Sequence, residues 1–186
     1  MPDGLTLYRV FPWVRGARKG RPGHPLYVRP PQGSGRVDNP ERYLVLYASD
    51  NPMGAVAEAF GNHSTWTQEL LEGPPALPRS TRALVRYEAA GAEVLDLDDC
   101  ATLSPRGLRP SVVVTRDRRA TQAWALAIHD EDRWAGIRWW SYYRPEWGSY
   151  GIWAVEDLKV LETVSLRDDL DLVRRTASDI VRVWEG

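Results

Sequence analysis

The chain has 186 residues and a mass of 21.1 kDa, enough for one domain of ordinary size and too little for two large ones. Its 43% hydrophobic and 26% charged residues are the usage of a globular protein with a buried core, and they argue against a disordered chain or a collagen-like or coiled-coil fibre. A net charge of -1 with a pI near 6.3 argues against a generally basic nucleic-acid coat protein and against an acidic tail.

In chain order, Leu5–Val10 reads as a short strand, followed from Pro12 to Pro40 by a Gly- and Pro-rich segment expected to be a long ordered loop or a flexible arm. Charge is uneven here: residues 1–36 carry seven Lys or Arg and one Asp, a surplus of +6, whereas residues 37–104 carry four Arg and eleven acids, a surplus of -7. Tyr43–Ser49 has the length and apolar character of a strand, and Asp50-Asn51-Pro52 supplies a cap and a proline for a helix over 52–60. That helix places Met53, Val56, Ala57 and Phe60 on one stripe and leaves Glu58 off it. Ala83–Tyr87 and Glu93–Leu97 read as strands, Thr115 as the cap of a helix from Arg116 through Ile128, and Gly136–Trp140, Gly151–Trp153 and Leu158–Val164 as further short strands. The last segment, Asp168 to Trp184, spaces Leu170, Val173, Ala177, Ile180 and Trp184 three and four apart, a helix with one seam for its own sheet or for a partner chain. No repeat or linker divides the chain, so residues 1–186 are expected to form a single domain.

No run approaches the roughly 18 apolar residues of a membrane span. Met1-Pro2-Asp3-Gly4 carries neither the basic nor the apolar region of a signal peptide, so the expected location is cytoplasmic, with no membrane partner. Cys100 is the single cysteine, which excludes an intramolecular disulfide, and His24, His63 and His129 are too scattered to suggest a metal site. Two biases remain: 9 Trp against 2 Phe, and 22 Arg against 2 Lys. They make stacking and bidentate chemistry available, although base composition alone also produces an arginine excess.

Three segments could carry chemistry. Glu58 has Gly54, Ala55 and Gly61 as neighbours away from the apolar stripe, where a solvated helix face normally carries other charges. An exposed glutamate on a short helix and a surface that backbone or ligand approaches closely are both compatible with this pattern. Gly33-Ser34-Gly35-Arg36 is either a plain turn or a loop presenting N–H groups and a guanidinium to a phosphate; without a following Lys-Ser/Thr it is not a P-loop. In Trp134–Pro145, aromatics beside arginines can sandwich a flat heterocycle, while strand alternation places Ile137 and Trp139 in the core and Arg138 and Trp140 outside. His129 has no sequence-level link to Ser141, so no Ser-His-Asp triad follows.

Taken in order, Leu7-Tyr8-Arg9-Val10, Gly35-Arg36, Tyr47, Glu58 and Ser141 within Gly-Ile-Arg-Trp-Trp-Ser resemble the RES domain family, the toxins of bacterial RES–Xre toxin–antitoxin modules. The resemblance spans about Leu5 to Leu161. It implies a compact α/β (α+β) fold with a mixed, largely antiparallel central sheet and flanking helices, similar to ADP-ribosyltransferase toxins. It also implies NAD+ as substrate rather than cofactor, cleavage of its nicotinamide–ribose bond with water or inorganic phosphate as acceptor, and an Xre-like antitoxin that blocks the active site. By the same resemblance Arg36, Tyr47, Glu58 and Ser141 line that site and Arg9 adds to the NAD+ pocket, with no metal. Val37-Asp38-Asn39 follow Arg36 where relatives often carry an aromatic.

The residue types suit the chemistry. Loss of nicotinamide leaves an oxocarbenium-like ribose that Glu58 would stabilise, Arg36 would hold the pyrophosphate, Tyr47 would bound the nicotinamide, and Ser141 would hydrogen-bond it or the ribose. Two other functions stay open: ADP-ribosyl transfer to a protein, and a non-catalytic module whose basic arm and aromatic-rich strand hold RNA or single-stranded DNA. In the toxin reading, nucleic acid is met only indirectly, through the antitoxin.

Overall fold

The computed structural model describes residues 4–186; Met1–Asp3, part of the N-terminal stretch read above for a signal peptide, lie outside them. In chain order the elements are β1 (Leu5–Trp13), β2 (Leu46–Ser49), α1 (Pro52–Phe60), β3 (Thr65–Trp66), β4 (Thr81–Ala89), β5 (Val94–Asp96), α2 (Cys100–Leu103), α3 (Pro110–Val113), α4 (Arg118–His129), β6 (Gly136–Trp140), β7 (Gly148–Ile152), β8 (Leu158–Ser165), α5 (Leu170–Asp179) and β9 (Val183–Trp184).

Seven strands form one sheet in the order β5-β6-β7-β2-β1-β4-β8. Every neighbouring pair is antiparallel except β5 and β6, so the sheet is mixed and largely antiparallel, as expected. β3 and β9 pair in parallel as a separate two-stranded ribbon.

Register decides which side chains share a face. Tyr8 lies opposite Ser49, Ser49 opposite Ser149, and Ser149 opposite Trp139, while Tyr47 and Ile137 both oppose Gly151. On this face two helical clusters pack at a distance from one another. At the β5–β6 end, Leu103, Val113, Trp124 and Ile128 from α2, α3 and α4 cover Ile137 and Trp139. At the β1–β4 end, Val56 and Phe60 of α1 and Val173 and Ala177 of α5 cover Val10 and Leu84. Over the middle strands the face carries Ser49, Ser149 and Gly151, which offer little apolar surface to a helix, and a cleft opens there. The opposite face buries Leu7, Phe11, Val85 and Tyr87, with Leu26 and Val28 of the Gly/Pro-rich arm packed against them.

The arm is therefore an ordered loop tied to the sheet, with the Tyr87 hydroxyl donating to the Pro25 carbonyl at 2.6 Å. Other boundaries also differ from the sequence reading: β1 runs on past Val10 to Trp13, and β4 extends beyond Ala83–Tyr87 at both ends, to Thr81 and Ala89. Pairing in the second strand begins at Leu46 because Gln32 takes both main-chain groups of Val45, accepting from its N–H and donating to its carbonyl at 2.8 Å each. α4 is capped by Asp117, which accepts from Arg119 and Ala120, whereas Thr115 accepts only from Asp117 N. β7 runs from Gly148 to Ile152, starting three residues before the strand read from sequence and ending one residue before it. The last helix stops at Asp179: Val181 takes a left-handed φ of 56°, and Val183–Trp184 turn into β9 beside β3. Its seam faces α1 in the same chain.

The α1–α5 contact sets the position of Glu58, because Phe60, 3% exposed, anchors the end of α1 in that cluster. Phe60→Ala is expected to lower stability by about 3–5 kcal/mol, measured as a shift in the urea unfolding midpoint at unchanged slope.

Candidate active site

α1 starts where the sequence provides both a cap and a proline. The Asn51 side chain accepts from Met53 N at 2.8 Å and Gly54 N at 3.4 Å, and Pro52 occupies the first turn, where its missing N–H costs nothing. One helical turn later, Ala55, Glu58 and Ala59 fall on a stripe that faces the cleft. The small residues beside Glu58 are approached closely, mostly by the chain itself. A Cβ at Gly54 would collide with the Ser49 hydroxyl, and one at Gly61 with the Tyr143 ring.

Glu58 is exposed to the cleft but held at one oxygen. The Ser141 hydroxyl donates to Oε1 at 2.8 Å and the Ser149 hydroxyl to the same atom at 3.4 Å. Ser141 is only 2% exposed and rigidly placed, since its N–H donates to the Trp147 carbonyl and its Oγ accepts from Tyr143 N. Oε2 meets no protein donor among the described residues, so it is the oxygen free to receive a ligand hydroxyl or to face a developing positive charge.

Arg36 and Tyr47 stand on the other side, joined through a residue the sequence reading passed over. Asp38, 4% exposed, accepts from Gly33 N at 2.8 Å and Gly35 N at 2.7 Å with Oδ2, and from the Tyr47 hydroxyl at 2.6 Å with Oδ1. The Tyr47 hydroxyl also accepts from Val37 N at 3.1 Å. Gln122 of α4 donates to the carbonyls of Gly33 and Gly35, both at 2.9 Å. The loop is thus clamped from both sides, and Gly35 has no room for a Cβ against Tyr47 and Asp38. Arg36 Nη1 donates to the carbonyls of Val113 at 2.7 Å and Thr115 at 2.9 Å. Its Nε and Nη2 meet no protein acceptor among the described residues.

These four residues line one cleft of about 750 Å3, together with Tyr8 and Trp140. That volume falls within the ~300–1,000 Å3 typical of small-molecule sites. Arg9 borders the cleft, but its Nη1 donates to the carbonyls of Pro25 and Tyr27 in the arm. Ile137 and Trp139 are buried as expected, and Arg138 is ion-paired with Asp96 at 3.0 Å and with Asp98.

The sequence matches the RES domain over residues 6–174. The chain belongs to the RES domain family. Its fold is similar to that of a chain in the crystal structure of the M. tuberculosis MbcT–MbcA toxin–antitoxin complex, with a TM-score of 0.63 at 18% identity over 94% of this chain and 90% of that one. No curated protein matches the sequence.

Electrostatically, the cleft of this RES domain has two sides. Burial lowers the pKa of Arg36 from the ordinary guanidinium value, and the nearby charge of Arg118 lowers it further, against a smaller opposing effect of Glu58. The group remains a cation at any physiological pH. Arg116 and Arg118 also line this wall, and the sequence reading missed them. For Arg118 the available signal was its placement: arginine in the first turn of a helix opposes the macrodipole, a local misfit of the kind that marks functional positions, while Arg116 lies before the cap Asp117.

Burial raises the pKa of Tyr47 well above the usual phenol range, and its bond to Asp38 raises it further. Burial likewise pushes Tyr43 and Tyr150 up to about 12. Tyrosines that ionise near pH 10 when unfolded bind their protons more tightly when folded, so their contribution is intact below pH ~10 and is lost as pH rises beyond it. The urea midpoint is expected to fall between pH 9 and 11.5, and Tyr47→Phe, compared with its own value at pH 9, to show a smaller fall.

Proposed function

We propose that this RES domain is the toxin of a toxin–antitoxin pair and that it cleaves the nicotinamide–ribose bond of NAD+. The observation that carries the reading is the Glu58 carboxylate, fixed by Ser141 at 2.8 Å with one oxygen free, in the same cleft as the partly unsatisfied Arg36 guanidinium. A dinucleotide presents complementary groups, a pyrophosphate for the cationic wall and a ribose for the carboxylate.

In the reaction the C1′–N bond breaks and its electron pair leaves with neutral nicotinamide, so no strong general acid is required. Positive charge develops on the ribose, and Glu58 stabilises it directly or through a ribose hydroxyl. Arg36, backed by Arg116 and Arg118, holds the pyrophosphate, with the carbonyls of Val113 and Thr115 fixing the direction of the guanidinium. Tyr47 keeps its proton and is locked by Asp38, so it bounds the nicotinamide as a rigid wall rather than acting as a base. An oxygen nucleophile, water or inorganic phosphate, then forms the new bond to C1′, losing a proton to solvent. The arginine wall favours phosphate by concentrating anions near the reacting carbon. A protein side chain as acceptor, making the domain an ADP-ribosyltransferase, is the second reading, favoured by the exposure of Glu58 and of Tyr142, 80% exposed at the cleft.

The partner in this reading is an Xre-like antitoxin covering the cleft in the cytoplasm. Arg15, Arg18, Lys19 and Arg21 are exposed on the arm and give an acidic element of the antitoxin a place to dock.

Glu58→Gln keeps the size of the side chain and removes its charge. Nicotinamide release from NAD+ by this variant is expected to fall by about 10²–10³ relative to wild type, with NAD+ binding retained. Phosphorylated ADP-ribose formed only when phosphate is present identifies phosphate as acceptor. Wild-type protein that binds NAD+ and releases nicotinamide only when a target protein is added identifies the transferase instead, and a Glu58→Gln variant as active as wild type rules out the assigned role of Glu58.

A further inference from the structure

A second cleft of about 390 Å3 lies at the arm and the adjoining ends of β1 and β4, and Arg9 borders both clefts. Its lining contains three arginines, Arg9, Arg29 and Arg82, and a histidine, His24, with no carboxylate among the described residues. None of the three arginines makes an ion pair with a described residue.

Arg82 is the telling member. Its Nε is buried and has no hydrogen-bond partner among the described residues. Folding has removed that donor from water without giving it an acceptor, an arrangement that is rare because it forfeits the hydration of a charged group. Pro12, opposite Arg82 in the β1–β4 register, carries no side-chain acceptor for it. Arg9 sits on the neighbouring strand, with Nη1 donating to the carbonyls of Pro25 and Tyr27. The His24 ring accepts from Leu26 N at Nδ1, which in the neutral ring leaves Nε2–H as a donor. The cavity therefore gathers donors and positive charge in a lining that has no carboxylate among the described residues to neutralise them.

We propose that this second cleft binds a small phosphate-bearing ligand, with Arg82 and Arg29 as its principal contacts. Phosphate fits better than a single carboxylate because it offers three strong acceptor oxygens and about two negative charges to guanidinium groups that line the same cleft. The frame is small and stiffened by prolines at 12, 22, 30 and 74, and Phe11 and Tyr27 add flat apolar surface, so the space suits an isolated phosphate or a mononucleotide rather than a folded partner.

The test uses the whole protein with two probes, inorganic phosphate and AMP, titrated by calorimetry and followed by amide chemical shifts. Saturable shifts at Gly23, Tyr27 and Leu77, weakened at least tenfold by the combined change Arg29→Gln and Arg82→Gln, are expected. AMP binding there more tightly than phosphate makes the ligand a nucleotide, and equal affinity makes it free phosphate. Shifts confined to Gly35 and Ser149 in the first cleft, or no saturable shift at Gly23, Tyr27 and Leu77 with either probe at millimolar concentration, overturn the proposal, as does undiminished affinity in the double variant. The wild-type shift map is decisive even if that variant fails to fold. Nicotinamide release is read separately and is expected to be unchanged by the double variant, so failure of the NAD+ reading and failure of this one are distinguishable.

Discussion

The cleft depends on one buried carboxylate. Asp38 gathers three donors from two directions: the N–H groups of Gly33 and Gly35 in the loop, and the hydroxyl of Tyr47 on β2. A carboxylate taken out of water in this way is tolerable because several donors meet it, each charge-assisted bond contributing about 1.5–3 kcal/mol. The result is a loop that cannot swing away from the sheet without stranding both the carboxylate and the tyrosine. Arg36 rides on that loop, and its guanidinium is fixed by carbonyls 77 and 79 residues further along the chain. The cationic side of the cleft is therefore preorganised before any anion arrives, which is the condition under which a charge in a site is most effective.

The opposite side is fixed by a different logic. Helix α1 could have packed flat across the middle of the sheet, but the strands beneath it carry Ser49, Ser149 and Gly151, which give a helix almost nothing to bury. Apolar side chains on this face are concentrated in two separate clusters, and the helices follow them. The gap between is a consequence of where large side chains are missing. Two serines at this end of the β6–β7 pair, Ser149 opposite Trp139 and Ser141 just past β6, then find a use, since both donate to Glu58. A residue choice that denies the sheet a continuous core also supplies the hydroxyls that orient the carboxylate.

Much of this architecture was legible in the chain. The Asn51-Pro52 start of α1, its Val56–Phe60 stripe and the alternation of Ile137 and Trp139 with Arg138 and Trp140 are local patterns, and local patterns survive folding when a cap or a pleat enforces them. The four polar positions that resemble the RES family meet in one cleft, Tyr47 and Glu58 from fixed places on β2 and α1, Ser141 from just past β6 and Arg36 from the clamped loop. What was not legible comes from long-range partners. Gln32 taking over the main chain of Val45, and Gln122 reaching back 87 residues to Gly35, leave no periodicity in the sequence. Asp38 looked like an ordinary loop acid. The Trp184 position fitted a helical seam by spacing, yet the left-handed turn at Val181 sends it into β9, where it still packs on the same cluster. Spacing identified the buried side correctly and the secondary structure wrongly, because burial and backbone conformation are separate constraints.

The arginine excess has a partly structural explanation. Arg182 donates through Nε and Nη2 to the Gly61 carbonyl at the end of α1, and through Nη1 to the carbonyls of Ile180 and Val181 at the end of α5. Arg106 grips Glu131 with two donors. A lysine at either place would bring a single mobile ammonium in place of a planar fork and could not hold two directions at once. Arg36 uses the same property differently. One nitrogen is given to carbonyls, which costs it little charge because carbonyls are neutral, and the remaining edge is presented to the cleft in a fixed plane. Had its partner been a carboxylate, as for Arg138 with Asp96 and Asp98, its positive charge would already be neutralised and Arg36 would add nothing to the attraction of an anion. The choice of neutral acceptors for Arg36 is what separates a guanidinium that holds the fold together from one that holds the fold and is still available to a ligand.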